Sequence, residues 1–75
     1  MTIRDLIEQG VCLQGWIRVD EWDSNMEKSQ IISYSHNADG ENINDAALDL
    51  EIKYIYTKDD DLVIEVVEED RQYEL

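Results

Sequence analysis

Apolar and polar residues alternate along four segments of this 75-residue chain, and the segments come in two pairs. The segments are residues 11–22 and 28–36, then residues 51–57 and 62–67. A period of two residues is typical of half-buried β-strands. Polar turn residues separate the members of each pair, at residues 23–25 and at residues 58–61. The pattern therefore predicts two β-hairpins.

Two short stretches carry helical signals instead. Residues 2–9 begin with Thr2, which can cap a helix, and Asp5 can complete a reciprocal capping box. Gly10 suits the position just after the helix, where a left-handed backbone is favoured. This helix is too short to be stable alone, so it must dock on another element. Residues 44–50 predict a second short helix.

Together these elements predict an α+β fold in one small domain, in the order α-β-β-α-β-β. Two hairpins make a four-stranded, mainly antiparallel sheet, with both helices expected on one face. The domain is assigned to residues 1–67, and residues 68–75 are expected to form an acidic C-terminal tail.

Strict alternation also assigns side chains to the two faces of the predicted sheet. One face carries Leu13, Ile17, Tyr54 and Ile64; the other carries Trp16, Trp22, Ile55, Val63, Val67, Arg18, Asp20, Lys53 and Glu65. In residues 28–36 it places Ile32 with Tyr34, and Ile31 with Ser33 and Ser35. An exposed face that mixes tryptophan with charges is typical of an interface. The alternatives are that another segment covers this face, or that the protein dimerises through it.

The charge of the chain limits the class of partner. There are 19 acidic and 6 basic residues, a formal net charge of −13, of which residues 39–75 carry −10. A field of this sign repels nucleic acid and anionic lipid, and it attracts basic surfaces. We therefore expect no direct binding to nucleic acid or membrane, and a basic nucleic-acid-binding protein as the partner.

The density of carboxylates suggests how such a partner is bound. A role in solubility alone is the simpler alternative, but the net charge of −13 is well beyond the magnitude of about 2–8 that a small domain needs to stay soluble. Alternate strand residues stand ~6.6–6.8 Å apart, and DNA carries a phosphate about every 3.4 Å along each strand. A rigid carboxylate array can therefore imitate a phosphate backbone. The expected partner-binding residues are Asp45, Asp49, Asp59, Asp60, Asp61, Glu68, Glu69, Asp70, Trp16 and Trp22.

No residue pattern indicates catalysis, a cofactor or a metal site, so a non-enzymatic protein is expected. His36 is the only histidine and Cys12 the only cysteine, too few for a zinc site. Residues 59–61 lack the spacing of an EF-hand calcium loop. A single cysteine fits a reducing compartment, and the start MTIRDLIEQG lacks the pattern of a signal peptide. These features predict a cytoplasmic location.

The opening MTIRDLIEQGV, the tryptophan-containing strand and the later ALDLEIKYIYTKDDDLVIEV resemble short acidic proteins encoded on phages and mobile elements of Gram-positive bacteria. The size, the acidity and the I-x-D-L-I opening are also similar to some anti-CRISPR inhibitors of Cas9. The resemblance implies a non-enzymatic inhibitor of a nucleic-acid-processing system, such as a Cas9-type effector, and it implies no active site. The alternative is a structural or interaction protein of a mobile element, with a homodimer formed through the tryptophan-containing face.

Overall fold

A computed structural model of the protein describes residues 1–23, 25, 27–36 and 43–67. These residues form two short helices and four strands, an α+β fold as the sequence predicts. The helices are α1 (Ile3–Glu8) and α2 (Asp45–Leu48), and the strands are β1 (Trp16–Trp22), β2 (Ser29–His36), β3 (Glu51–Lys58) and β4 (Asp61–Val67). The predicted acidic tail, residues 68–75, lies outside the described residues.

The sheet is mixed, with strand order β2-β1-β4-β3. The two hairpins, β1–β2 and β3–β4, are antiparallel. They join through a parallel pairing of β1 with β4, which the sequence pattern did not specify. Within the described part of the chain, β1 and β4 are therefore central, and β2 and β3 are the edges.

The residues that indicate helix α1 in the sequence form its N-terminal and C-terminal caps in the structure. The hydroxyl of Thr2 accepts a hydrogen bond from the backbone N–H of Asp5 at 3.1 Å, and the Asp5 carboxylate accepts one from the Thr2 N–H at 3.0 Å. Gly10 has a φ of +91°, and the next N–H, of Val11, donates to the carbonyl of Leu6 at 3.0 Å. These are the capping box and the left-handed C-terminal motif.

Strand β1 begins later than the alternation predicts. The sequence pattern runs from residue 11, but the strand starts at Trp16. Gly15 has a φ of +86°, which an extended strand does not accommodate, so the ladder cannot continue towards residue 11. Leu13 is nevertheless buried, so the preceding segment packs on the core without joining the sheet.

The hydrophobic core combines both helices with alternate residues of the two central strands. Its buried members are Ile3, Leu13, Ile17, Val19, Ile43, Ala47, Leu48, Ile64 and Val66. Full burial of one aliphatic side chain contributes about 1.5–3 kcal/mol. Burial of these side chains in one cluster therefore stabilises the packing of both helices on the sheet.

A β-bulge in β2 changes which of its residues share a face. Ser33 pairs with Val19, but Ile31 pairs with Asp20, so Ile32 is the extra residue. Ile32 packs against the core, whereas Tyr34 pairs with Arg18 on the other side. The predicted placement of Ile32 and Tyr34 on one face is therefore wrong, and Ile31 shares a face with Tyr34.

A second bulge has the same effect in β3. Ile52 pairs with Val66 and Tyr54 pairs with Glu65, so Lys53 is the extra residue. After the bulge, Ile55 pairs with Ile64 of the core side. The predicted faces of Tyr54 and Ile55 are therefore exchanged, because one inserted residue reverses the alternation of every residue beyond it.

Candidate protein-binding face

The strand residues that alternate away from the core cluster form a second face, here called the aromatic face. The two central strands supply its tryptophans and most of its charged residues, and the edge strands supply its tyrosines together with Glu51 and Lys58. Its members are Trp16, Arg18, Asp20, Trp22, Ser29, Ile31, Tyr34, His36, Glu51, Tyr54, Tyr56, Lys58, Asp61, Val63, Glu65 and Val67. Both tryptophans expected to bind a partner lie on this face.

One end of the aromatic face is a cluster around Trp16. The rings of Trp16 and Tyr34 stack with centroids 5.1 Å apart and 23° between their planes, and His36 meets Trp16 edge-on at 5.1 Å. Trp16 is still 47% exposed. Stacking therefore holds the indole in place while leaving much of its surface available for contact.

The same cluster is tied to the acidic turn by a hydrogen bond. The Tyr34 hydroxyl donates to both carboxylate oxygens of Asp61, at 3.1 Å each. Desolvation raises the pKa of Tyr34, and the hydrogen bond to Asp61 raises this pKa further. Tyr34 is consequently a protonated donor at neutral pH and fixes the position of the carboxylate.

The other end of the face is organised by Glu65. The indole N–H of Trp22 donates to one carboxylate oxygen at 2.9 Å, and the hydroxyl of Tyr56 donates to the other. The bond to Glu65 is the main cause of the raised pKa of Tyr56, and desolvation adds to it. Trp22 is therefore held by a specific partner and is less exposed than Trp16.

The charged residues Arg18 and Asp20, at the centre of the face, are paired with each other. Arg18 donates two hydrogen bonds to the carboxylate of Asp20, both at 2.9 Å, and Asp20 is buried. A paired guanidinium and carboxylate of this geometry form a strong, directional contact. The bond to Asp20 raises the pKa of Arg18 above its usual range. Val63 and Val67 are buried beneath this layer.

The β3–β4 turn carries the acidic residues expected to bind a partner. Asp59 and Asp60 form the turn, with φ values of 54° and 70°, and both are exposed. Two successive positive φ values define the tight turn that suits a two-residue hairpin. Asp61 pairs with Trp16 across the parallel ladder, so the turn lies beside the Trp16 cluster. An open groove of about 510 Å³ lies here, lined by Gln14, Trp16, Thr57, Lys58, Asp59, Asp60, Asp61 and Leu62.

The remaining acidic candidates lie elsewhere. Asp45 and Asp49 belong to α2 and its end, next to the start of β3, whereas residues 59–61 follow the end of β3. Seven residue steps along a strand span roughly 23 Å, so the structure does not bring the two groups together. Glu68, Glu69 and Asp70 lie outside the described residues.

Asp49 already has a basic partner. Arg4 donates to its two carboxylate oxygens at 2.7 and 3.2 Å, which joins α1 to the end of α2. This hydrogen bond lowers the pKa of Asp49 and raises that of Arg4. The turn at residues 59–61 is therefore the better-presented acidic group for a partner.

The described residues show neither a metal-binding cluster nor a membrane-spanning helix. No group of three or more His, Cys, Asp or Glu side chains there is arranged to hold a metal ion. Neither helix in that part of the chain has the length and apolar character needed to cross a membrane.

The residues that sequence reasoning missed are Tyr34 and Tyr56. Each holds a carboxylate on the aromatic face, yet alternation gave no reason to place either beside Asp61 or Glu65. Tyr34 reaches this position through the bulge at Ile32, and no residue in β2 signals a bulge.

Comparison with protein-family models, curated proteins and solved structures found no match to this chain. The function of the aromatic face and its acidic turn is therefore argued from their own geometry and charge.

Proposed function

We propose that this protein is a non-enzymatic acidic inhibitor that occupies the basic groove of a DNA- or RNA-processing effector, similar in kind to anti-CRISPR inhibitors of Cas9. The observation that carries the proposal is the β3–β4 turn. Asp59 and Asp60 are exposed at the end of the hairpin, and the neighbouring Asp61 carboxylate lies beside the exposed Trp16. The net charge of −13 directs this surface towards a basic partner.

The contacts that hold Asp61 support a role in binding. Asp61 is held by Tyr34, and Tyr34 is held by stacking on Trp16. Groups that are already ordered lose little conformational entropy on binding. The Asp61 carboxylate can thus meet a basic groove without rearrangement.

The placement of the helices also supports the proposed inhibitor function. Ile3 of α1 and Leu48 of α2 share one buried cluster with Ile17 and Ile64 of the sheet. We infer that both helices cover the core face, which leaves the aromatic face to a partner. The proposed contact surface is therefore the acidic turn, with Trp16 as its apolar anchor.

A binding measurement with matched variants tests the proposal. Affinity for a purified Cas9-type effector is measured across a salt series for the wild type and for a double variant, Asp59→Asn with Asp60→Asn. The control is Glu8→Gln with Glu27→Gln, which removes the same charge from exposed positions elsewhere. We expect about tenfold weaker binding for the turn variant, a much smaller change for the control, and steep loss with salt. Equal effects of the two variants, or no binding, would contradict the proposal.

The competing function is an assembly protein that uses the aromatic face. The 47% exposure of Trp16 favours it, because apolar contact is nearly independent of salt. Binding that persists at high salt and in the Asp59→Asn/Asp60→Asn variant, but is lost in Trp16→Ala, would favour this alternative.

A further inference from the structure

The outer edge of β2 differs from the rest of this acidic protein. β2 has eight residues, Ser29–His36, and none of them is Asp, Glu, Lys or Arg, although such residues make up 33% of the chain. Each of the other three described strands contains charged residues. Exposed edge strands usually carry charges that prevent pairing with another chain. No described strand pairs with the outer edge of β2.

The opposite edge of the sheet, strand β3, carries the charged residues that usually prevent pairing with another chain. β3 carries Glu51, Lys53 and Lys58, and Lys53 is also the bulge residue. β2 has a bulge as well, at Ile32, but residues 33–36 continue in regular register with β1. The chain therefore protects one edge with charge and leaves the other without it.

The uncharged edge also exposes apolar side chains. Ile31 is 58% exposed and Tyr34 is 53% exposed, and both lie on the aromatic face. In an antiparallel pair of identical strands about a two-fold axis, residues on one face of the first strand meet those on the same face of the second. With the two-fold axis between residues 32 and 33, Ile31 of one copy would lie opposite Tyr34 of the other, as an aromatic and β-branched cross-strand pair.

We propose that β2 pairs with β2 of a second copy of this chain, antiparallel, to form one continuous eight-stranded sheet. The charge distribution favours a second copy of this chain as the partner of the β2 edge. A basic partner is attracted to the carboxylates, which β2 lacks, whereas two copies of net charge −13 repel each other least along an uncharged strand edge. The proposal is independent of the proposed function, since dimerisation leaves the β3–β4 turn at the far edges of the sheet.

The test uses two isoleucines as a matched pair. Ile31 lies on β2 and Ile55 on β3, and their exposed fractions are 58% and 49%. Lysine at either position makes the net charge one unit less negative, so general repulsion between copies falls equally in both. Sedimentation equilibrium of each protein over a range of concentration and salt gives the dimer dissociation constant.

We expect a wild-type dimer that tightens as salt screens the repulsion. Ile31→Lys should weaken it at least about tenfold, and Ile55→Lys should leave it unchanged or slightly tighter. A wild-type protein that stays monomeric at about millimolar concentration in high salt overturns the proposal. High concentration favours dimerisation, and high salt removes the repulsion between copies. Equal weakening by both substitutions also overturns it.

Amide hydrogen exchange of the wild type separates edge pairing from contact between aromatic faces. Edge pairing gives the outward-facing N–H groups of β2 a new hydrogen bond, so their exchange slows as concentration rises. A dimer in which these amides exchange at the monomer rate overturns the proposal. This measurement needs no variant, so it decides the matter even if Ile31→Lys disturbs the fold.

Discussion

The hydroxyl of Tyr34 and the carboxylate of Asp61 are joined by hydrogen bonds of 3.1 Å that cross the intervening strand β1. The contact links an edge strand to the acidic turn at the other side of the sheet centre. The aromatic face and the acidic turn are therefore one connected surface.

The raised pKa of Tyr34 makes stability sensitive to alkaline pH. Its folded-state pKa lies above the unfolded value of about 10, so its contribution is fully present below that pH and is lost as pH rises through the folded value. We expect Tyr34→Phe to lower the melting temperature slightly at neutral pH and to reduce the alkaline loss. Thermal denaturation between about pH 8 and pH 11 measures both effects. Tyr54→Phe, on the same face, is the control, and identical pH profiles for the two variants would contradict the account.

The residues of the β3–β4 turn are not the ones that stabilise its backbone conformation best. Asp59 and Asp60 have positive φ, which Asn and Gly adopt at lower cost. Asp59→Asn with Asp60→Gly also removes two neighbouring like charges. We expect stabilisation of about 1 kcal/mol, or a melting temperature about 4–8 °C higher, together with weaker binding to the basic partner. A destabilised double variant would show that this turn conformation is wrong.

The ion pair between Arg4 and Asp49 should stabilise the fold at neutral pH but not in acid. Arg4 lowers the folded-state pKa of Asp49 below its ordinary value of 3.8, so this contribution is present above that pH and is lost as pH falls through the folded value. Asp49→Asn should therefore lower the melting temperature at pH 7 but make little difference near pH 2. A difference that stays constant between these pH values would mean that the ion pair does not act on stability.

The docking of α1 depends on Ile3. Its side chain is fully buried in the core cluster, so Ile3→Ala should destabilise the fold by about 2–5 kcal/mol. That is a large fraction of the roughly 5–15 kcal/mol available to a small domain. Ile55→Ala, at a largely exposed position, should change stability by less than about 1 kcal/mol. Urea denaturation compares the two, and similar losses would mean that Ile3 is not a core residue.

Local chemistry made part of this fold predictable from the sequence. Thr2 and Asp5 signal the start of α1, and Gly10 signals its end, because each acts on backbone groups a few residues away. The two hairpins follow from alternation and turn residues. For the same reason, the acidic turn at residues 59–61 could be placed at a hairpin end.

Features that depend on distant residues could not be predicted in this way. The parallel pairing of β1 with β4 joins residues more than forty positions apart, and it alone places Trp16 beside Asp61. The bulges at Ile32 and Lys53 reverse the alternation of the residues beyond them, and no local motif marks them. The tyrosines of the aromatic face were therefore assigned wrongly or overlooked, while its tryptophans, on the regular strand β1, were assigned to the correct face.

Displacement of nucleic acid tests the central claim most directly. A labelled duplex is bound to a purified Cas9-type effector, and its fluorescence anisotropy is followed as this protein is added. Occupation of the basic groove predicts complete displacement, with about tenfold more Asp59→Asn/Asp60→Asn variant required and little change for the Glu8→Gln/Glu27→Gln control. Binding of this protein to the effector while the duplex stays bound with unchanged affinity would contradict the account.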